Sequence, residues 1–114
     1  MRVLLDENLP VELAERFPAH DVKTTAQVGW LRYKNGRLLP EAEGQFDVLL
    51  TMDKGVFYQQ DHRKRQLRIG LILAVNSRMG TLEPLLPHAE RFISDPSTGM
   101  LAWISEKGIE PFAP

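Results

Sequence analysis

Residues 1–10, MRVLLDENLP, place a continuous apolar run, Val3-Leu4-Leu5, directly against the polar stop Asp6-Glu7-Asn8. Leu9-Pro10 then opens what reads as a helix over Val11–Phe17, with proline tolerated in the first turn and Leu9, Leu13 and Phe17 spaced for one face. An apolar run with no polar alternation predicts a strand buried on both faces, here Arg2–Asp6. Such a strand delivers its terminal acids to the carboxyl edge of an α/β sheet, where ligands bind.

A second run, Val48-Leu49-Leu50-Thr51, ends in the same way at Met52-Asp53. Two strands that each finish in an aspartate predict a shared carboxylate site, and a divalent cation is the usual reason to build one. The remaining pattern predicts strands at Asp21–Thr25, Asp47–Thr51 and Ile69–Val75, with helices over Arg37–Glu43, Lys54–Gln60 and Thr81–Ser94. Gly44 suits a helix C-terminus and Thr81 an N-cap, while Pro40, Pro84 and Pro87 fall early in their helices or distort them. The tail, Met100–Ile104 and Ile109–Phe112 around Glu106-Lys107-Gly108, reads as a hairpin at a sheet edge. Strands alternating with helices imply an α/β protein with a mainly parallel central sheet, helices on both faces and a C-terminal β-hairpin.

The length, 114 residues, fits a single domain, with a core over 1–95 and the hairpin over 99–113. Cysteine is absent, which excludes disulfides, thiolate metal sites and cysteine nucleophiles. No apolar segment approaches a membrane span and no signal-peptide pattern opens the chain, so a cytoplasmic location is expected. The net charge of −1 argues against indiscriminate nucleic-acid binding. Locally, His62-Arg63-Lys64-Arg65-Gln66-Leu67-Arg68 forms one dense basic patch. Arg63, Lys64, Arg65 and Arg68 are its candidates for contact with RNA phosphates or an acidic partner, and a solvated loop reads equally well.

LLDENLP, the GW turn at Gly29-Trp30, the helix before FDVLLT (residues 46–51) and the TMD ending together resemble the compact PIN-like proteins, bacterial and archaeal relatives of the PIN-domain ribonucleases. The resemblance covers roughly residues 1–95. It implies a three-layer α/β/α sandwich and an acidic cluster that binds Mg²⁺ or Mn²⁺ for RNA hydrolysis. It also implies a role as the toxin of a toxin–antitoxin pair, held by a small antitoxin protein. On that mapping Asp6 and Asp53 are the catalytic and metal-binding acids, with Asn8 and Thr51 as the polar residues beside them. The family has a further aspartate where this chain has Lys34-Asn35-Gly36, and another acid where it has Gly55. Lys34-Asn35-Gly36 and the later Tyr58-Gln59-Gln60 resemble a branch of the same family.

Two metals about 4 Å apart need three or more carboxylates, whereas one Mg²⁺ keeps several waters and can be held by two. Asp6 and Asp53 therefore suffice for one ion, with Asn8 or Asn35 as a neutral oxygen donor and Glu41 and Glu43 as the nearby replacement acids. Strand alternation places Asp6 and Asn8 on one side and sends Glu7 to the other, as a helix-start charge, unless the chain has already turned. Asn35-Gly36 also reads as a turn or cap, and Thr51 as a strand-end hydrogen bond.

Phe57 and Tyr58 offer a base-stacking face or core packing, and Trp30 and Tyr33 a partner contact or burial. The three histidines have no metal-ligand spacing. Two rival readings accompany the ribonuclease: a PIN-like binding module that has lost catalysis, and a receiver-like phosphoacceptor with Asp6, Glu7, Asp53, Ser77 and Lys107 in order along the chain. The apolar hairpin suggests a homodimer or a partner groove.

Overall fold

The computed structural model describes residues 1–58 and 66–112. Six strands form one sheet: β1 (Arg2–Leu5), β2 (Asp21–Thr24), β3 (Val48–Thr51), β4 (Arg68–Ile72), β5 (Leu101–Ser105) and β6 (Gly108–Pro111). Their spatial order is β2-β1-β3-β4-β5-β6. The first five run parallel and only β6 is antiparallel, to β5. The helices are α1 (Asn35–Glu43), α2 (Gly55–Tyr58), α3 (Met79–Leu82) and α4 (Leu86–Ser94).

Strand periodicity divides the apolar residues between two cores. Val3, Leu5, Val48, Leu50, Ala102 and Ile104 pack on one face with Leu13, Phe17, Leu85, Ala89, Phe92 and Ile93. Leu4, Leu49, Ile69 and Leu71 pack on the other with Leu38, Leu39, Ala42 and Val56. Both faces of the central strands are thus covered, which explains why their sequences run apolar without alternation. The hairpin belongs to this sheet rather than hanging from it, because β5 pairs with β4 and buries Ala102 and Ile104 completely.

Several expected elements take a different form. Val11–Arg16 is a 3₁₀ helix, entered from extended Pro10 and closed by the Leu13 N–H on the Pro10 carbonyl at 3.1 Å. The single helix expected over Thr81–Ser94 divides into α3, a 3₁₀ turn over Glu83–Leu85, and α4. Pro84 and Pro87 cause the division, since neither has an N–H for a helical bond and each ring excludes the carbonyl four residues earlier. Thr81 lies inside α3, whose N-cap is Arg78 with no side-chain bond. β4 ends at Ile72, short of Val75, which is 92% exposed.

Gly70, in the middle of β4, sits where three side chains close in. A Cβ there would lie 2.9 Å from Leu50 Cδ2, 2.9 Å from Ile104 Cδ1 and 3.1 Å from Phe92 Cδ2. Gly70→Ala is expected to cost about 1–3 kcal/mol by overpacking. A lower urea midpoint at an unchanged m-value checks this.

Candidate active site

β1 lies between β2 and β3, and its two flanking connections cover opposite faces of the sheet. The 3₁₀ helix contributes Leu13 to one core and α1 contributes Leu38 and Leu39 to the other. The carboxyl ends of β1 and β3 therefore open into a crevice at a topological switch point, where α/β sheets hold ligands. A groove of about 660 Å³ occupies it, lined by Asp6, Glu7, Asn8, Arg32, Tyr33, Lys34, Asn35 and Asp53.

Asp6 follows β1 directly. Its N–H bonds the Leu50 carbonyl at 3.0 Å, extending the ladder by one residue, and its carbonyl then accepts the Leu9 N–H at 3.0 Å to form a turn. The side chain is only 9% exposed. Oδ2 accepts the Thr51 hydroxyl at 2.7 Å, and Oδ1 accepts the Glu7 N–H at 2.8 Å. Among the described residues no lysine, arginine or histidine forms an ion pair with Asp6 or Asp53. Burial pushes the Asp6 carboxyl above the ordinary carboxylate range, and the charges of Glu7 and Asp53 add to the rise. The bonds from Thr51 and Glu7 oppose it.

Thr51, fully buried at the end of β3, accepts the Asp53 N–H at 3.1 Å on the same oxygen that donates to Asp6. Asn8 bridges the two strand exits. Its Oδ1 accepts the Met52 N–H at 3.1 Å, and its Nδ2 donates to Thr51 Oγ1 at 3.2 Å and Asp6 Oδ2 at 3.4 Å. Asn8 thus braces the two strand exits, its carbonyl engaged by backbone and its amide facing the Asp6 carboxylate.

Asp53 is exposed. Its Oδ1 accepts the Gly55 N–H at 2.8 Å, opening α2, and its Oδ2 accepts Asn35 Nδ2 at 3.2 Å. Asn35 begins α1 and is only 9% exposed, so it belongs to the site rather than to a surface turn. Glu7 also differs from the alternation reading. The chain has turned after Asp6, so Glu7 lines the groove and accepts the Arg32 N–H at 3.2 Å.

Arg68 is a further correction. It is 6% exposed, with its guanidinium bonded to the carbonyls of Gly99, Ile93 and Asp95 and to Thr98 Oγ1, so it is withdrawn from any phosphate-binding surface. Arg63, Lys64 and Arg65 lie outside the described residues, as do Gln59, Gln60 and His62. Glu41 and Glu43 do not line the groove, and neither do Ser77 and Lys107, which a receiver-like site would need there. Sequence reading missed Arg32 and Lys34 as groove residues. Their position just before Asn35, in the connection between β2 and α1, was the available signal.

The resemblance implies a divalent cation. Asp6 and Asp53 share the groove, Asp6 is a buried carboxyl group with no ion pair among the described residues, and Asn35 adds an amide. That donor set fits one hydrated Mg²⁺ or Mn²⁺. Among the described residues, no group of three or more His, Cys, Asp or Glu could hold an ion. Among the described residues, no helix is long and apolar enough to cross a membrane. Compared with known proteins, the chain matches no family model, no curated protein and no solved structure.

Proposed function

We propose that the chain is a PIN-like ribonuclease with a three-layer α/β/α arrangement, acting in the cytoplasm as a toxin restrained by a small antitoxin protein. The two cores on opposite faces of the sheet support the layering. The observation that carries the activity is Asp6, a nine-tenths buried carboxyl group that shares an open groove with a second acid and makes no ion pair among the described residues.

Asp6 and Asp53 would hold one Mg²⁺ or Mn²⁺, with Asn35 as a neutral oxygen donor. The ion, when bound, supplies a water acidified for attack and positive charge for the phosphoryl oxygens. The chain's own residues do the rest. Thr51 and the Glu7 N–H fix the Asp6 carboxylate in one orientation, Asn8 ties the β1 exit to β3, and the Gly55 N–H holds Asp53 at the mouth of α2. This bracing keeps two like charges in place at a cost to stability, as active sites commonly do.

Calorimetric titration with Mn²⁺ tests the reading. Wild type is expected to bind one ion and to cleave a labelled single-stranded RNA only when the ion is present. Asp6→Asn is expected to lose both, with cleavage down at least about a hundredfold. In metal-free buffer the same variant is expected to melt a few degrees higher than wild type at neutral pH. The folded protein favours protonated Asp6, so wild-type stability falls as pH rises from the ordinary carboxylate range through the raised folded value. Asp6→Asn removes that slope. A second reading, a PIN-like binding module without turnover, is favoured because no three His, Cys, Asp or Glu among the described residues are grouped so as to hold an ion. No Mn²⁺ binding at millimolar metal would select it.

A further inference from the structure

The groove carries both signs of charge, and they do not neutralise each other. Asp6, Glu7 and Asp53 line it together with Arg32 and Lys34, yet no ion pair joins the two sets among the described residues. Both cations are exposed, and no cation figures among the influences on the Asp6 carboxyl. Carboxylates and cations that merely balanced one another in a groove would pair. Kept apart, they suit a ligand that itself carries a cation and an anion side by side.

The cationic rim is held by specific contacts. Arg32 has a left-handed backbone, φ 67°, the one positive φ outside glycine among the described residues. For a residue with a long side chain this conformation costs roughly 1 kcal/mol and must be held by its surroundings. Glu7 holds it, accepting the Arg32 N–H across 25 residues of chain. The same loop is fixed by aromatic packing. Tyr33 stacks on Trp30 with centroids 6.0 Å apart and planes at 12°, and Trp30 meets Phe46 edge-on at 5.9 Å. The Arg37 guanidinium lies 3.9 Å over the Tyr33 ring. These contacts pack both aromatics into the loop, where Tyr33 also lines the groove, and Arg32 and Lys34 are the cations that line it.

We propose that Arg32 and Lys34 form a phosphate clamp that receives the backbone oxygens of single-stranded RNA, with Glu7 as the positioning residue that holds Arg32. The clamp rests on the RNA-cleaving reading of the same groove and adds its substrate contact. Metal-bearing phosphodiester then satisfies both halves of the groove at once, its cation toward Asp6 and Asp53 and its anion toward the rim. Recognition through phosphate alone carries no base preference, so the clamp binds strands of differing sequence alike.

Fluorescence anisotropy of a labelled oligouridylate in EDTA tests the clamp without cleavage. Arg32→Ala and Lys34→Ala are each expected to weaken binding about five- to tenfold, and Lys34→Arg to restore it. The double variant should flatten the slope of log K against log salt by about 1.4, at about 0.7 per lost single-strand phosphate contact. Glu7→Ala separates positioning from plain repulsion. Loss of an anion alone would tighten binding, whereas loss of the tether weakens it. Wild-type affinity and salt slope in a double variant that melts like wild type would overturn the proposal, as would failure of wild type to bind the strand. Mn²⁺ titration of the same double variant keeps the two readings distinct. Retained ion binding with unchanged RNA affinity sinks the clamp alone, and clamp-dependent RNA binding without any ion binding sinks the hydrolase alone.

Discussion

Arg68→Ala is expected to lower the unfolding free energy by about 3 kcal/mol, a large share of what holds a domain of this size together. The guanidinium is buried at the amino end of β4. Nε donates to the Gly99 carbonyl at 3.0 Å, and Nη1 to the Ile93 carbonyl at 3.4 Å. Nη2 donates to the Asp95 carbonyl at 3.3 Å and to Thr98 Oγ1 at 3.0 Å. The group also rests 4.2 Å over the Phe92 ring. Ile93 belongs to the last turn of α4, where carbonyls lack helical partners, and Asp95 and Gly99 belong to the bend leading into β5. One side chain therefore terminates α4 and orients the next strand. Truncation leaves three carbonyls without this donor and opens a void beside Phe92. Burial already pulls the Arg68 pKa below its ordinary value, so the desolvation cost is borne by these bonds. Urea unfolding measures the loss. Arg68→Met, which retains the apolar stem without burying a charge, is expected to lose less than Arg68→Ala, and equality of the two would mean the bonds alone matter.

Asn35→Asp is expected to tighten Mn²⁺ binding by at least about tenfold, or roughly 1.4 kcal/mol. Asn35 Nδ2 lies 3.2 Å from Asp53 Oδ2 in a mostly buried position. A carboxylate there would face the other at the same separation and complete a set of three acids with Asp6. The metal-free variant should consequently melt below wild type, since two like charges a few ångströms apart cannot both ionise without penalty. Added Mn²⁺ should reverse that order. The reversal, read from melting curves with and without EDTA, is the diagnostic result, because an Asn35 that served only as a helix cap would give a small drop and no rescue.

The two acids were legible because each ends an uninterrupted apolar run, and strand length is nearly fixed once both faces are buried. Asp6 and Asp53 needed only that pattern. Thr51 and Asn8 were named, but their bonding was not readable, because a hydroxyl and an amide beside a carboxylate are compatible with ligation, bracing or solvation. The register that pairs Leu5 with Leu50 decides among these, and register is a three-dimensional fact. Arg68 misled for a related reason. Read as the end of a basic run it belongs to the surface, whereas its place as the first residue of β4 puts its side chain beneath α4. Charge density along a chain does not distinguish a solvated cation from one folded inward. Over Thr81–Ser94 the helical pattern was legible, and what failed was continuity, where two prolines outweighed the periodicity.

The outer rim of the sheet carries one more consequence. Phe112 donates its N–H to Leu101 at 2.8 Å, so by alternation the nitrogen of Pro111 faces away from β5, toward open solvent. That nitrogen has no hydrogen to offer. A neighbouring molecule attempting to add its own strand there would forfeit a ladder bond and meet the charged Glu110 beside it, so the chain ends its pleated surface with a built-in stop against end-to-end growth.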